Sequence, residues 1–405
     1  MGVEYRPLRD EDLEQAAYVE SVAFYNEPTP ERLETLRRVF PPDWTDGAFV
    51  DGRLVAVVRV IPMARRMNGR SARFGCVGPV ACLAEHRRQG HVGRLLRRWL
   101  ERMRDQGMPL SGLHTPHDAL YQRYGWERAE AKKRYHVRAK DVSLRMGGAP
   151  GRLEHADPDD WQRLEEVYRP YAGPRNGPLH RPELWWREAV FREYDSPKVR
   201  DGFVWLSSGG EAQGFVVYTW RGQRWHPLTG GDTALLVRDM VSLTPDAYLG
   251  LWQHLLGHDL ARPIAVDAPL DDPFPDLVDD PWKVEVQRAE GAMIRIVDVE
   301  HALSTRAYVG EGAVAFTLRV ADASAPWNDG VWRIEAGEGR MQAQRVQEEA
   351  DLEVSVNFLA PLFTGHIRAD HAAEVGMLKV NRPEALADAK EAFAVTYPPY
   401  CNDWY

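Results

Sequence analysis

The pattern of apolar and polar positions is most distinctive between residues 77 and 126, where a strand, a turn and a helix follow one another. Residues 77–82 form an apolar run that predicts a buried strand. After a polar turn at 88–93, apolar residues recur at helical spacing, which predicts an amphipathic helix that ends near Gly107. The apolar face of this helix comprises Val92, Leu95, Leu96, Trp99 and Met103.

The flanking segments predict a mixed α/β domain around this centre. Residues 1–40 have the pattern of helices, with starts near Asp10 and Thr29, and residues 47–61 predict a hairpin that turns at Asp51 and Gly52. The further predicted elements are strands at 73–76 and 109–114, a short helix at 117–124, and a strand at 135–138 that closes the sheet. The glycine-rich segment 147–151 then predicts a linker.

The next stretch of chain repeats this plan without the glycine turn. Trp205 and the run 214–220 predict a hairpin, and a strand and a helix meet near Thr244. At that junction a Thr-Pro-Asp-Ala sequence predicts an ordinary helix start, where Asp246 would repel a phosphate. From residue 293 the pattern changes to alternating strands at 313–320, 330–335 and 351–356, followed by helices. We therefore predict three domains, at residues 1–147, 148–290 and 291–405.

Composition and charge narrow the class of protein. Residues 1–150 carry 26 Lys and Arg against 19 Asp and Glu, about +7, so the remainder of the 51 and 60 in the chain is 25 against 41, about −16. The basic first part suits a phosphate-rich ligand, and the acidic remainder argues against nucleic acid as a partner.

The expected compartment follows from the cysteines and the apolar runs. Cys76, Cys82 and Cys401 have neither metal nor disulfide spacing, which points to a reducing cytoplasm. The charged N-terminus predicts no signal peptide, and no apolar run approaches the ~20 residues of a membrane span. Two histidine pairs, at 114 and 117 and at 254 and 258, lack the partners of a metal site, so we expect no metal.

The turn from Arg88 to Gly93 has the chemistry of a phosphate cradle. A strand that feeds a basic, double-glycine turn at a helix start leaves unpaired N–H groups pointing outward, and the helix dipole adds positive potential. An ordinary strand-to-helix turn is the alternative explanation. The cradle residues are Arg88, Gln89, Gly90, His91, Val92 and Gly93.

The turn, its preceding strand and the later Leu120-Tyr-Gln-Arg-Tyr-Gly-Trp126 together resemble the GNAT N-acetyltransferases. Over the whole chain, the order of segments resembles the enhanced intracellular survival (Eis) family. That resemblance implies an α/β (α+β) protein with two tandem GNAT-like mixed-sheet domains, only the first binding acetyl-CoA. A sterol-carrier-protein-like α/β domain follows, and the resemblance implies a homo-oligomer, a hexamer.

The resemblance also implies where acetyl-CoA contacts the chain. The backbone of Val80, Ala81 and Cys82 would pair with the pantetheine arm and polarise the thioester carbonyl, while the side chains belong to the core. Pro116 and His117 match two further cofactor positions, although Pro116 has no N–H to donate.

Acid and base candidates lie far apart in the sequence. Tyr121 is the acid candidate, because a phenol with a pKa near ~10 stays protonated at neutral pH and can donate to a thiolate. Residues 76–83 supply no carboxylate for a base. The resemblance offers the C-terminal carboxylate of Tyr405 instead, and the aromatic ending at 397–405 favours a docked terminus. A carboxylate of pKa ~3.3–3.7 needs burial or a relaying water to act as a base.

The function expected from these features is direct acetyl transfer to an amine. The acceptor would be a cationic small molecule of aminoglycoside, polyamine or lysine type, contacted by Phe24, Glu27 and Asp403. The alternative from another class is a protein that binds a lipid or apolar ligand in its third domain and carries a relic GNAT domain. A scaffold role for the third domain, in assembly or in shaping the cleft, is the third hypothesis.

Overall fold

The computed structural model describes residues 2–147, 150–192, 198–222, 233–258, 260 and 263–405. The chain forms two compact units. The first is built from residues 1–130, 292–396 and 405, and the second from residues 131–291 and 397–404. The predicted linker at 147–151 lies partly outside the described residues. In the described part of the chain, no helix is long and apolar enough to cross a membrane.

The first unit contains a seven-stranded mixed sheet with helices on both sides. Its strand order is β1-β2-β3-β4-β5-β14-β6. The strands are β1 (Val3–Pro7), β2 (Thr45–Val50), β3 (Arg53–Met67), β4 (Arg70–Cys82), β5 (Leu110–Leu113), β6 (Glu127–Arg128) and β14 (Met293–Ile296). The helices are α1 (Leu13–Ala23), α2 (Pro30–Val39), α3 (His91–Asp105) and α4 (Asp118–Gln122).

Local signals explain most of these elements. The β2–β3 hairpin turns where predicted, with Asp51 and Gly52 in the left-handed region (φ 48° and 83°), and the Thr29 hydroxyl caps α2. The prediction of helices throughout residues 1–40 is wrong for its first part. Val3–Pro7 pairs with β2 as the edge strand β1, because tertiary pairing with a neighbouring strand overrides local spacing.

The second unit repeats the strand order of the first sheet as β8-β9-β10-β11-β12-β7-β13. Its elements are β7 (Ala131–Val137), β8 (Gly151–Ala156), α5 (Trp161–Ala172), α6 (Glu183–Trp185) with a following π turn (Trp186–Val190), β9 (Asp201–Ser207), β10 (Ala212–Arg221), β11 (Ala234–Ser242), α7 (Pro245–Leu256), β12 (Ile264–Ala268) and β13 (Glu285–Glu290). The α7 helix starts after Thr244, as predicted, and the Thr244 side chain accepts from the Ala247 N–H at 3.2 Å.

The prediction that residues 135–138 close the first sheet is wrong. Strand β7 pairs with β12 and β13 in the second sheet, where Tyr135 packs against Trp252 and Phe274. The first sheet is completed by β14 instead, which pairs with β5 and β6. An alternating strand pattern fixes which side chains are buried, but it does not say which sheet supplies the partner.

A second sheet in the first unit is formed by the C-terminal segment, in the order β17-β16-β15-β18-β19. The elements are α8 (Val299–Thr305), β15 (Val314–Ala321), β16 (Gly330–Gly337), β17 (Arg340–Val346), β18 (Leu352–Ser355), α9 (Val356–Thr364), α10 (Ala369–Glu374), β19 (Leu378–Val380) and α11 (Glu384–Ala392). The three strands predicted here are confirmed, and β17 and β19 are additional. All three sheets contain a parallel pair beside antiparallel ones, which confirms the mixed α/β class.

A buried arginine joins the ends of two helices in this C-terminal segment. Arg306 is 1% exposed, and its guanidinium donates to the carbonyls of Phe363, Ala392, Phe393 and Ala394 at 2.8–2.9 Å. These carbonyls lie at the C-terminal ends of α9 and α11, where backbone acceptors lack helical partners and cations are favoured. Burial lowers the pKa of Arg306 to about 9, so the side chain stays charged at neutral pH.

We predict that Arg306→Met destabilises the first unit by about 3–5 kcal/mol, because several buried carbonyls lose their donors. Urea denaturation followed by fluorescence measures the change. Arg333→Met is the control, since that exposed arginine pairs with Glu348 at the surface, where an ion pair is screened by solvent and its loss should change stability little. Equal destabilisation by the two variants would contradict the assigned role.

Candidate active site

The centre of the first sheet contains an open strand edge. Strand β4 pairs with β3 on both sides of a bulge at Gly78 and Pro79, with Val77 opposite Val60 before it and Val80 opposite Val58 after it. Its pairing with β5 is parallel and ends at Cys76 opposite Gly112. Beyond that point, no described strand pairs with this side of β4, so the main-chain groups that face this side between Val77 and Ala81 are available to an extended ligand, whereas the Cys82 carbonyl accepts from Arg87 at 3.3 Å.

The Val80, Ala81 and Cys82 side chains point alternately to the two faces of the sheet. Ala81 is buried on the side of α1, whereas Val80 and Cys82 are half-buried against the core beneath α3. Burial raises the pKa of the Cys82 thiol, and neighbouring Arg87 opposes that shift, so the thiol is not activated as a nucleophile.

The predicted cradle follows this strand and begins α3. Gly90 is the N-cap residue with φ 86°, and Arg88 has φ 63°, so both lie in the left-handed region. A Cβ at Gly90 would meet no atom within 4 Å, and residues 87–90 are exposed. The first N–H groups of the helix have no helical acceptor, and Gly90 has no side chain that could cap them. The turn therefore presents donors to open space.

The second half of the cradle is packed into the protein. A Cβ at Gly93 would overlap the Tyr124 hydroxyl, so this glycine makes room for an aromatic ring. His91 is buried, and its Nδ1 hydrogen-bonds to the Tyr5 hydroxyl at 2.8 Å. Burial, with His86 and Arg94 nearby, lowers the pKa of His91. Val92 is half-buried, so only the backbone of residues 91–93 can serve a ligand.

Pro116 and His117 lie on the exposed loop before α4. The His117 N–H donates to Thr115 Oγ1 at 2.9 Å, which orients the start of the helix. Both residues stay predictions as cofactor contacts.

Tyr121 lies on α4 and is 7% exposed. Its ring belongs to the same core as Val77, and Val80 and Cys82 pack against that core. Burial raises the pKa of Tyr121 to about 12, although a hydrogen bond with Thr115 acts in the opposite direction. The phenol is therefore protonated throughout the neutral range.

The C-terminal residue lies where β4 and β5 separate. A Cβ at Gly78 would lie 2.8 Å from the main-chain oxygen of Tyr405 and 2.9 Å from its carboxyl carbon. A Cβ at Gly112, on β5, would lie 2.8 Å from the Tyr405 hydroxyl. The Tyr405 ring packs edge-on against Phe74 and lies 5.0 Å from His114, measured between centroids. The carboxyl end thus lies beside the open part of β4.

Sequence reasoning did not single out Gly78 and Gly112, which make space for Tyr405. The signal for both is a glycine inside a strand, which marks a close approach of another backbone or ligand.

Asp403, one of the acceptor candidates, has its partners within its own unit. Asp403 is 1% exposed in the second unit, where it accepts from Arg181 at 3.1 Å, Trp185 at 2.9 Å and Arg238 at 3.2 Å. Burial acts to raise the pKa of Asp403, but the charges of Arg181 and Arg238 outweigh it and lower the pKa. Its carboxylate is committed to these partners, which corrects the prediction that it binds a cationic acceptor.

Phe24 and Glu27 lie at and after the end of α1, and both are exposed. They stay predictions as acceptor contacts. Among the described residues, no cluster of three or more potential metal-binding side chains is present.

Comparison with known proteins shows to which family of enzymes the chain is related. Residues 4–129 match the acetyltransferase (GNAT) domain family, residues 177–296 match a second acetyltransferase (GNAT) domain family, and residues 299–402 match the sterol carrier protein domain. An uncharacterized N-acetyltransferase from Streptomyces coelicolor is 31% identical over 99% of both chains. N-acetyltransferase Eis from Mycobacterium bovis is 27% identical over 91% of both.

Solved structures share the fold over the full length. Eis1 from Mycobacterium abscessus has a TM-score of 0.82 at 24% identity, covering 100% of both chains. A GCN5-related N-acetyltransferase from Anabaena variabilis has a TM-score of 0.87 at 20% identity, also covering 100% of both. Tandem GNAT domains followed by a sterol-carrier domain define an acetyltransferase. The chain belongs to the GNAT N-acetyltransferases, and over most of its length it is similar to N-acetyltransferase Eis.

Proposed function

We propose that the protein transfers an acetyl group from acetyl-CoA directly to an amine of a cationic acceptor of aminoglycoside, polyamine or lysine type. The observation that carries this proposal is the position of the Tyr405 carboxyl end against Gly78, on the same strand that leads into the cradle. A carboxylate can act as the base for an amine, and the cradle can hold the cosubstrate, so their position on one open strand edge suits amine acetylation.

The cradle fits the pyrophosphate of acetyl-CoA. Gly90 offers an open, left-handed N-cap, and the surrounding exposed side chains include Arg87, Arg88 and Arg94. The main chain at 77–82 would hold the pantetheine arm by strand-like hydrogen bonds, and donors there would polarise the thioester carbonyl. When bound, the cosubstrate supplies an activated acetyl group and a thiolate leaving group.

Residues of the chain would then move the protons. The Tyr405 carboxylate accepts a proton from the acceptor ammonium, directly or through a water, and Tyr121 donates its phenolic proton to the departing sulfur. Because the Cys82 thiol is held protonated, direct attack by the amine is favoured over an acyl-enzyme.

The charge of the chain supports the acceptor class. Residues 151–405 carry a charge of about −16 from 25 basic and 41 acidic side chains, which favours a cationic substrate. Glu27 is an exposed carboxylate of the first unit. A cytoplasmic location stays a prediction from the cysteine pattern, and a hexamer stays what the family resemblance implies. The lipid-binding alternative is not favoured, because the family matches assign the chain to the acetyltransferases.

The direct test is coenzyme A release, followed with a thiol reagent, in the presence of acetyl-CoA and a panel of amines. We expect turnover with multiply cationic amines and little with neutral ones. Absence of release with every amine would overturn the proposal.

A cradle variant tests the cofactor site separately. We predict that Gly90→Ala raises KM for acetyl-CoA about tenfold or more, because the methyl group enters the phosphate-binding turn and the left-handed backbone is strained by ~1–2 kcal/mol. Gly339→Ala is the matched control, with φ 74°, equal space around its Cβ, and a place in the β16–β17 turn. Gly339→Ala should be destabilised by a similar amount, and its KM for acetyl-CoA should stay unchanged. An unchanged KM in Gly90→Ala would contradict the assignment.

A further inference from the structure

The turn that follows Tyr121 is held by side chains of the C-terminal segment. Asn357 Nδ2 donates to the Gln122 carbonyl at 3.0 Å and to the Trp126 carbonyl at 3.4 Å. Ser324 Oγ donates to the Arg123 carbonyl at 3.2 Å. Three carbonyls in this five-residue turn are thus satisfied by residues about 200 positions later in the chain. All of these residues belong to the first unit.

The same turn rests on a buried arginine. Gly125 has φ 88°, and a Cβ there would lie 2.8 Å from Arg295 Cζ. Arg295 is fully buried on β14, and its Nη2 donates to Asp322 at 2.6 Å. Asp322 also accepts from the Ser324 N–H at 3.1 Å, so a single carboxylate holds both Arg295 and Ser324 in place.

The helix that carries Tyr121 cannot fix its own position. The α4 helix has five residues, which is too short to be stable without tertiary contacts. Within the turn, the Tyr121 carbonyl accepts from Tyr124 at 2.9 Å and from Trp126 at 3.3 Å. The orientation of the phenol therefore depends on where the turn is anchored, and the anchors come from the C-terminal segment.

We propose that Asn357 and Ser324, with Arg295 beneath them, are positioning residues that fix the orientation of the Tyr121 side chain, whose ring packs in the same core as Val77 of β4. This inference rests on the acid role proposed for Tyr121. It gives the sterol-carrier-like domain a part in catalysis, because that domain supplies the hydrogen bonds that fix the acid. A small displacement of a catalytic group is enough to slow a reaction by orders of magnitude.

The test compares Asn357→Ala and Ser324→Ala with wild type in steady-state kinetics. We expect kcat to fall about tenfold for Asn357→Ala and about threefold for Ser324→Ala, while KM for acetyl-CoA stays within about twofold. Ser324→Ala removes one hydroxyl from a half-buried site, so it keeps the test valid if Asn357→Ala folds poorly.

Asn68→Gly is the matched control. The Asn68 amide also donates to two carbonyls of the C-terminal segment, those of Ala307 and Ala394, both at 3.1 Å. Glycine accepts its left-handed backbone, with φ 54°. This variant should lose stability like Asn357→Ala but keep its kcat. Equal loss of kcat in both would mean that Asn357 acts only through stability, which would overturn the inference.

A double-mutant cycle separates this inference from the proposed function. If Asn357 acts through Tyr121, Asn357→Ala should have almost no further effect on kcat in a Tyr121→Phe background. Full additivity would overturn the positioning role. An unchanged kcat in Tyr121→Phe alone would instead remove the acid role on which the inference rests. Loss of kcat in Tyr121→Phe with wild-type kcat in both Asn357→Ala and Ser324→Ala would overturn the inference and leave the proposed function standing.

Discussion

Addition of one alanine after Tyr405 should reduce kcat/KM for the amine about 100-fold, in line with removal of a general base. The added residue moves the carboxylate ~3.3–3.6 Å further along the chain and leaves a peptide group beside Gly78. A neutral peptide carbonyl cannot accept the proton of an ammonium substrate. The rate of coenzyme A release at subsaturating amine measures the effect.

Two further variants isolate the charge from the side chain. A C-terminal amide, introduced by semisynthesis, keeps the position of Tyr405 but removes its charge, and should be as slow as the extended enzyme. Tyr405→Phe keeps the carboxylate and the ring that packs against Phe74, and should stay within about threefold of wild type. Wild-type turnover in the extended enzyme would show that the terminal carboxylate is not the base.

Tyr121→Phe should lower kcat about 100-fold and leave KM for acetyl-CoA nearly unchanged, because only the leaving thiolate loses its proton donor. The ring remains in the core, and the lost hydrogen bond with Thr115 costs about 1 kcal/mol of stability. Tyr124→Phe is the matched control from the same turn, since its ring packs against the same core as Tyr121 while its hydroxyl lies beside Gly93.

The outcome that would contradict this role is a kcat in Tyr121→Phe equal to that of Tyr124→Phe. An acetyl thioester whose thiol has a low pKa should restore the kcat of Tyr121→Phe, because its thiolate leaves without needing a proton.

The pKa of Tyr121 also fixes the sign of a pH effect on stability. Its pKa is raised to about 12 in the folded protein against ~10 in an unfolded chain. As the pH rises, the Tyr121 phenol therefore loses its proton at a lower pH in the unfolded chain than in the folded protein. The contribution of the neutral phenol to the free energy of unfolding is fully present below pH ~10 and is lost between pH ~10 and 12. Tyr121→Phe should lack this component of alkaline destabilisation.

The elements that sequence reasoning predicted well are those that local physics controls. The α3 helix begins at its glycine N-cap and ends before Gly107, which has φ 69°, because amphipathic spacing and glycine geometry act within a few residues. The β2–β3 hairpin at Asp51 and Gly52 has the same origin. The cradle is a strand-to-helix turn, so its form also follows from nearby residues.

The features that were missed depend on distant partners. Val3–Pro7 is a strand only because β2 lies beside it, and β7 joins the second sheet because its aromatic side chain fits the core there. Asp403 was expected to contact an acceptor, yet Arg181 and Arg238 neutralise it. No spacing rule connects a residue at position 403 with residues at 181 and 238.

The sequence by itself therefore determined the form of the strand-to-helix turn at 88–93 and the absence of a carboxylate on the strand before it, because both depend on one short segment. Only the tertiary structure decided that the terminal carboxyl group lies against Gly78 and that Asn357 and Ser324 anchor the turn of Tyr121. Such contacts join residues hundreds of positions apart, and they form through core packing and hydrogen bonds that no local pattern records.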